Sequence, residues 1–204
     1  MKSRAYHVVG ILTARPVKRL FRFRSKGVEN LPRSGGYVLS AGHQSNLDPW
    51  PLGLPLYPER QLRFMAKAEL YRYPPLAWIL SAAGAFRVRR GMGDEEAVQT
   101  AVELAKAGEI VAIFPEGTRR KKGVVKRHTA RAHTGAARVA LMADVPLVPA
   151  AIGGTDRLMR LGPLQVAYGP PIDLDDLDGM ELRQAAKIAT DRLMEAIHAL
   201  EKTL

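Results

Sequence analysis

From Tyr37 onward the chain alternates short apolar runs with longer stretches of helical periodicity, and this alternation restricts the fold more than any other feature. Ser34-Gly35-Gly36 reads as a turn, and Tyr37 to Ala41 behind it as a buried strand. Asp48-Pro49 follows, with Asp placed to cap a helix and Pro at its first position. Leu62 to Ala66 reads as a strand, Tyr73 to Ala83 as a helix with its prolines at the start, and Phe86 to Val88 as a short strand. Asp94-Glu95-Glu96 sets acids at the positive end of a helix that runs to Ala107 and stops at Gly108. Ile110 to Phe114 is the strongest strand in the chain. Thr134 to Ala143 reads as helix, Val145 to Ile152 and Leu164 to Tyr168 as strands, and Met180 to Leu200 as the last helix. Strands alternating with helices predict one α/β layered domain with a mostly parallel central sheet flanked by helices. A length of 204 residues suits a single domain, and no repeat or linker divides it. We expect a basic amphipathic helical extension over residues 1–26 and the domain over 27–204.

Charge narrows the partners. The chain carries a formal +11, concentrated in two blocks. Residues 1–36 hold nine Lys or Arg against one acid, Glu29, and residues 119–131 hold seven with none, so the remainder is mildly acidic. Such blocks suit nucleic acid, anionic lipid or a phosphorylated substrate, or are simply solvated faces. The absence of Cys excludes a disulfide framework, a thiolate zinc site and a Cys nucleophile, and fits a reducing compartment. A spanning helix needs about 20 mostly apolar residues. The longest uncharged apolar stretch, Tyr73 to Phe86, is broken by Pro74, Pro75 and Gly84, so no span is expected. It reads as a buried helix or as the lining of an acyl groove. The patch Val8 to Leu12 is too short and too soon followed by Arg15, Lys18 and Arg19 for a signal peptide. Around it Tyr6, Val9, Thr13, Val17, Leu20 and Phe21 share a helical face. Two readings stand: a helix lying in a membrane interface with Phe21 and Phe23 as apolar contacts, or one packed on its own domain.

Two motifs carry chemistry. Gly42-His43-Gln44-Ser45-Asn46-Leu47-Asp48 follows the first buried strand. His43 at the strand end and Asp48 at the helix start can meet across the loop. Asp48 then accepts from one imidazole nitrogen and leaves the other as base. Any serine-type hydroxyl would belong to the substrate. Taken alone, the pair reads equally as a helix-capping Asp and a polar loop His. The second motif, Ile113-Phe114-Pro115-Glu116-Gly117-Thr118-Arg119, ends the strongest strand, where open α/β sheets place ligands. Gly117 permits close backbone approach, Thr118 offers a hydroxyl, and Arg119 a donor fork suited to phosphate.

With these motifs the chain resembles the glycerolipid acyltransferase family, whose best-known bacterial members acylate 1-acyl-glycerol-3-phosphate. Four ordered blocks carry the resemblance: His43 to Asp48, Gly84 to Arg90, Phe114 to Arg119, and Val145 to Pro149. The likeness runs from about Gly27 to Pro171. It implies that His43 deprotonates the acceptor hydroxyl and that Asp48 orients it. Arg119 and Arg90 would grip the acceptor phosphate, Glu116, Gly117 and Thr118 would shape that pocket, and Lys67, after a strand, would assist. The Val145 to Pro149 block would be structural, with an acyl-chain contact as its other reading. The implied donor is acyl-CoA or acyl carrier protein, with no further cofactor, no metal and no acyl-enzyme. The implied acceptor is lysophosphatidic acid, at the cytoplasmic face of an anionic membrane as a peripheral protein. Two positions depart from the family's pattern, the second of which bears on the acceptor. Gly42 stands where many members have Asn, and Arg87 and Arg89 add charge to the second block, so that Arg89 competes with Arg90 for its role.

Two alternatives remain at this level. The acceptor could instead be glycerol-3-phosphate, a lysophospholipid or a glycolipid. From another class, a basic chain could bind nucleic acid, but neither basic block holds a recognised reading motif, and no nucleic acid partner is expected. The other histidines, His7, His128, His133 and His198, lack ligand-like partners, and Trp50 and Trp78 read as core or interface anchors.

Overall fold

The computed structural model describes residues 10, 16, 18–45, 47–88, 94–116, 132–156 and 162–204. Seven strands form one sheet: β1 (Arg24–Lys26), β2 (Tyr37–Ala41), β3 (Leu62–Lys67), β4 (Ala85–Val88), β5 (Ile110–Ile113), β6 (Leu147–Gly153) and β7 (Gln165–Tyr168). Their spatial order is β1-β7-β6-β2-β5-β3-β4. Every neighbouring pair is parallel except β6 with β7. The helices are α1 (Pro49–Gly53), α2 (Pro74–Ala83), α3 (Asp94–Lys106), α4 (Gly135–Ala143) and α5 (Leu182–Glu201).

The central strands read as unbroken apolar runs because helices cover both faces. All five residues of β2 and all four of β5 are buried. Right-handed crossovers decide which helix covers which face. The connections β2-α1-β3 and β3-α2-β4 advance across the sheet in one direction, while β4-α3-β5 and β5-α4-β6 return in the other. Hence α1 and α2 lie on one face, α3 and α4 on the opposite one. The core divides accordingly. Val98, Ala101, Val102 and Ala105 of α3, spaced one helical turn apart, join Val139 of α4 and Leu193 and Ile197 of α5 over Val38, Val111 and Leu147. On the other face Leu52 and Leu56 pack over Tyr37, Leu39, Ala112 and Val148.

The elements read from the sequence are present, with ends displaced by a residue or two. Three readings change. Arg24–Lys26, assigned to the helical extension, is instead the edge strand β1, paired in parallel with β7. All three of its residues are exposed, so it has no apolar alternation to announce it. Phe21 and Phe23 do not face outward as a lipid contact would; they pack on Leu54 and Leu164, which Trp50 and Tyr57 also cover. The helix expected over the rest of residues 1–26 falls largely outside the described residues. Finally, α2 is not a buried helix, since Ala82 alone among its residues is buried.

Gly84 illustrates why the second sequence block begins with glycine. It ends α2 at φ 96° and turns the chain into β4, where a Cβ would stand 2.2 Å from the Leu62 carbonyl oxygen.

Candidate active site

The carboxyl ends of β6, β2, β5, β3 and β4 lie along one edge of the sheet, and the chemistry-bearing residues follow them. After β2 the loop turns so that Asp48 returns to His43. His43 Nδ1 lies 2.8 Å from Asp48 Oδ2. The same oxygen accepts the backbone N–H of Gln44 at 2.7 Å and of Ser45 at 2.8 Å. The other carboxylate oxygen accepts the Thr155 hydroxyl at 2.6 Å. Asp48 is 0% exposed and Thr155 3%. A buried carboxylate demands donors, and this one has four. An ionised carboxylate only accepts, so the imidazole proton sits on Nδ1 and Nε2 is left as the base.

Asp48 stands where a helix cap was expected, yet its side chain makes no cap hydrogen bond. The reason lies in the following residues. Pro49 and Pro51 have no N–H, which empties the first turn of α1 of most donors. The donor that remains there, Trp50 N–H, goes to the Leu47 carbonyl at 3.0 Å. The carboxylate therefore turns back to the loop and to His43.

The second motif meets the first directly. His43 stacks on Phe114, with ring centroids 4.4 Å apart and planes 23° from parallel. The register explains it: β2 and β5 are neighbours with Ser40 opposite Ile113, so both motifs emerge side by side. Ser40 Oγ donates to the Ile113 carbonyl at 2.8 Å across that pair, and Gln44 Nε2 donates to the Ile152 carbonyl at 3.0 Å, fastening the loop to β6. Glu116 is buried two residues beyond Phe114. Lys67 is exposed at the end of β3, on the same sheet edge but two strands from β2. Arg87 lies over the Tyr71 ring at 4.4 Å. Arg90, Gly117, Thr118 and Arg119 lie outside the described residues, as does Arg89. His133 and His198 are exposed, and the His133 N–H donates to the Pro115 carbonyl at 2.8 Å, next to Phe114. Among the described residues no three His, Asp or Glu side chains group in a way that could hold a metal.

Sequence reasoning missed Thr155. It lies 107 positions from Asp48, beyond the end of β6 in Gly153-Gly154-Thr155. Gly154 makes the approach possible, with φ +90° and the Pro163 carbonyl oxygen 2.2 Å from where a Cβ would stand. The available signal was a Gly-Gly-Thr turn at the end of a strand adjacent to β2. Thr155→Val keeps the shape and removes the donor from Asp48 Oδ1. Leaving a buried charged acceptor unpaired costs about 1–3 kcal/mol or more, so the variant should unfold at lower denaturant. It should also lose kcat by roughly tenfold with little change in KM, and Thr155→Ser should restore both. Urea titration and steady-state kinetics check this; a silent Thr155→Val would show that Asp48 does not depend on Thr155.

Comparison with known proteins agrees with this architecture. The acyltransferase family model matches residues 22–153, which spans both motifs and the sheet edge that carries them. A 1-acyl-sn-glycerol-3-phosphate acyltransferase of Bacillus subtilis is 32% identical over 179 residues, 86% of this chain and 86% of that protein. A Streptococcus pneumoniae protein of the same name is 30% identical over 148 residues, 71% of this chain and 53% of that one. The crystal structure of the 1-acyl-sn-glycerophosphate acyltransferase PlsC from Thermotoga maritima superposes with a TM-score of 0.68 at 25% identity, covering all of this chain and 83% of that one. With a buried carboxylate holding His43 against Phe114, and the family match laid across both motifs, the chain belongs to the acyltransferase family.

Proposed function

We propose that this acyltransferase moves a fatty acyl group from a thioester, acyl-CoA or acyl carrier protein, to the sn-2 hydroxyl of 1-acyl-glycerol-3-phosphate, at the surface of an anionic membrane. The observation that carries the chemistry is His43 held by Asp48 and stacked on Phe114, with Nε2 left as base. Nε2 takes the acceptor's hydroxyl proton as its oxygen bonds to the thioester carbonyl carbon. The tetrahedral intermediate then collapses, the carbon–sulfur bond breaks, and the imidazolium returns the proton to the departing thiolate. The products are an ester and a free thiol, with no acyl-enzyme. The proposed acceptor rests on the relatives' names and on the arginines that follow these motifs.

In this reading Arg119 and Arg90 hold the acceptor phosphate, and Lys67, Glu116, Gly117 and Thr118 complete that site. No helix among the described residues is long and apolar enough to cross a membrane. Association with the cytoplasmic face would accordingly be peripheral, driven by the basic blocks.

A panel of acceptors with one labelled acyl-CoA tests the reading. 1-Acyl-glycerol-3-phosphate should be used best, and its dephosphorylated counterpart poorly. Preference for glycerol-3-phosphate or for an uncharged lysolipid would overturn the assignment. Arg119→Ala should raise the acceptor KM about tenfold to a hundredfold, as expected for losing a charge-assisted hydrogen bond, with the donor KM unchanged. Unaltered acceptor kinetics would remove Arg119 from the phosphate site.

A further inference from the structure

α2 is the anomaly of the fold. Its sequence, Pro-Pro-Leu-Ala-Trp-Ile-Leu-Ser-Ala-Ala, carries no charge, and such a helix ordinarily lies in a core. By contrast α5, rich in charge, buries Ala185, Ala186, Ala189, Leu193 and Ile197. In α2, Trp78 is 58% exposed and Ile79 51%, and Tyr73 just before it 66%. Pro75, Trp78 and Ile79, three and four positions apart, share one outward stripe, and Leu70 in the preceding turn is also exposed. A contiguous apolar surface of this kind marks an interaction site.

Its place in the fold and the charge around it identify the occupant. Crossover handedness sets α2 on the face of the sheet that carries α1, and Asp48 immediately precedes α1. α2 also begins at the carboxyl end of β3, the sheet edge from which His43 and Phe114 emerge. The apolar stripe is therefore beside the catalytic edge. Around its start stand exposed Lys67 and Arg72, against one acid, Glu69. Lys18, Arg19 and Arg22 are exposed in the segment whose Phe21 packs on the Leu54–Leu164 cluster that Trp50 of α1 also covers. Trp and Tyr beside cations, with aliphatic side chains between them, is the composition of a surface that sits at lipid headgroups. We propose that α2 is a membrane-docking helix, which seats Tyr73, Trp78 and Ile79 in an anionic phospholipid bilayer and holds the catalytic edge of the sheet at the lipid surface. This deepens the peripheral-membrane part of the function proposed above and rests on it.

The test uses the full chain with vesicles of phosphatidylcholine, alone or mixed with phosphatidylglycerol. The protein should sediment with the mixed vesicles. Trp78→Ser/Ile79→Ser should bind them about tenfold or more weakly, given the apolar area removed from contact with lipid. Both residues are exposed, so circular dichroism should be unchanged, as should turnover of a detergent-dispersed acceptor. That turnover reports the acyl-transfer reading separately, so losing it in the wild type would count against the reaction and not against the surface. Trp50 and Trp78 are the only tryptophans, so a blue shift on vesicle addition that disappears in Trp78→Phe places Trp78 in lipid. Undiminished vesicle binding by the double variant would overturn the proposal. So would a wild-type dimer that the double substitution makes monomeric with vesicle binding intact, which would make this face a self-interface.

Discussion

His43→Ala is expected to abolish acyl transfer while leaving the protein folded. General-base catalysis by a positioned imidazole is worth about 10²–10⁴-fold, so kcat should fall by roughly 10³-fold. The stability cost should be small, for three reasons. The His43 side chain is 18% exposed and is not a core element. Asp48 retains the N–H groups of Gln44 and Ser45 and the Thr155 hydroxyl when the imidazole is gone, so the buried charge is not orphaned. The stack on Phe114 is worth about 0.5–1.5 kcal/mol. Rapid-quench measurement of labelled product, beside thermal unfolding, separates the two effects. Retention of near wild-type kcat by a folded His43→Ala protein would show that another group takes the proton.

Much of this site was readable before any coordinates, and the reasons are physical. β2 and β5 are apolar at every position because helices cover both faces, and an unbroken apolar run between turn residues is a strong local signal. His43 and Asp48 are five positions apart, so a single loop can close them, and the loop's own N–H groups complete the arrangement. The stacking of His43 on Phe114 was not readable, because it depends on strand order: β5 comes three crossovers after β2 and inserts beside it. Thr155 escaped for the same reason, as its partner reaches it only through the β2–β6 pairing. The burial expected of α2 failed because apolar composition predicts burial, and composition alone cannot separate a helix that faces a core from one whose apolar side is exposed. β1 is too short and too polar for any periodicity to identify it.

Asp48 can be divided into its structural and electrostatic parts by two substitutions. In Asp48→Asn the amide oxygen can take the place of Oδ2, receiving His43 Nδ1 and the N–H groups of Gln44 and Ser45. The amide NH₂ then faces Thr155, whose hydroxyl can turn to accept. The geometry and the His43 tautomer are thereby kept, and only the negative charge is lost. Folding stability should change by about 1 kcal/mol or less, while kcat should drop roughly 10²-fold because nothing offsets the imidazolium formed as Nε2 takes the proton. Asp48→Ala behaves differently. It leaves two partly buried backbone N–H groups and the buried Thr155 hydroxyl without their acceptor, each worth about 1–3 kcal/mol where water does not relieve it. It also frees the imidazole to carry its proton on Nε2, which removes the base. The loop should loosen, the unfolding temperature should fall clearly, and activity should approach that of His43→Ala. If Asp48→Asn retained wild-type kcat, the carboxylate would be a scaffold for the loop alone. If instead Asp48→Asn and Asp48→Ala unfolded alike, the four hydrogen bonds would not be what holds the loop. The ordering Asp48→Asn above Asp48→Ala in stability, with both far below the wild type in turnover, follows only if the carboxylate both builds the site and charges it.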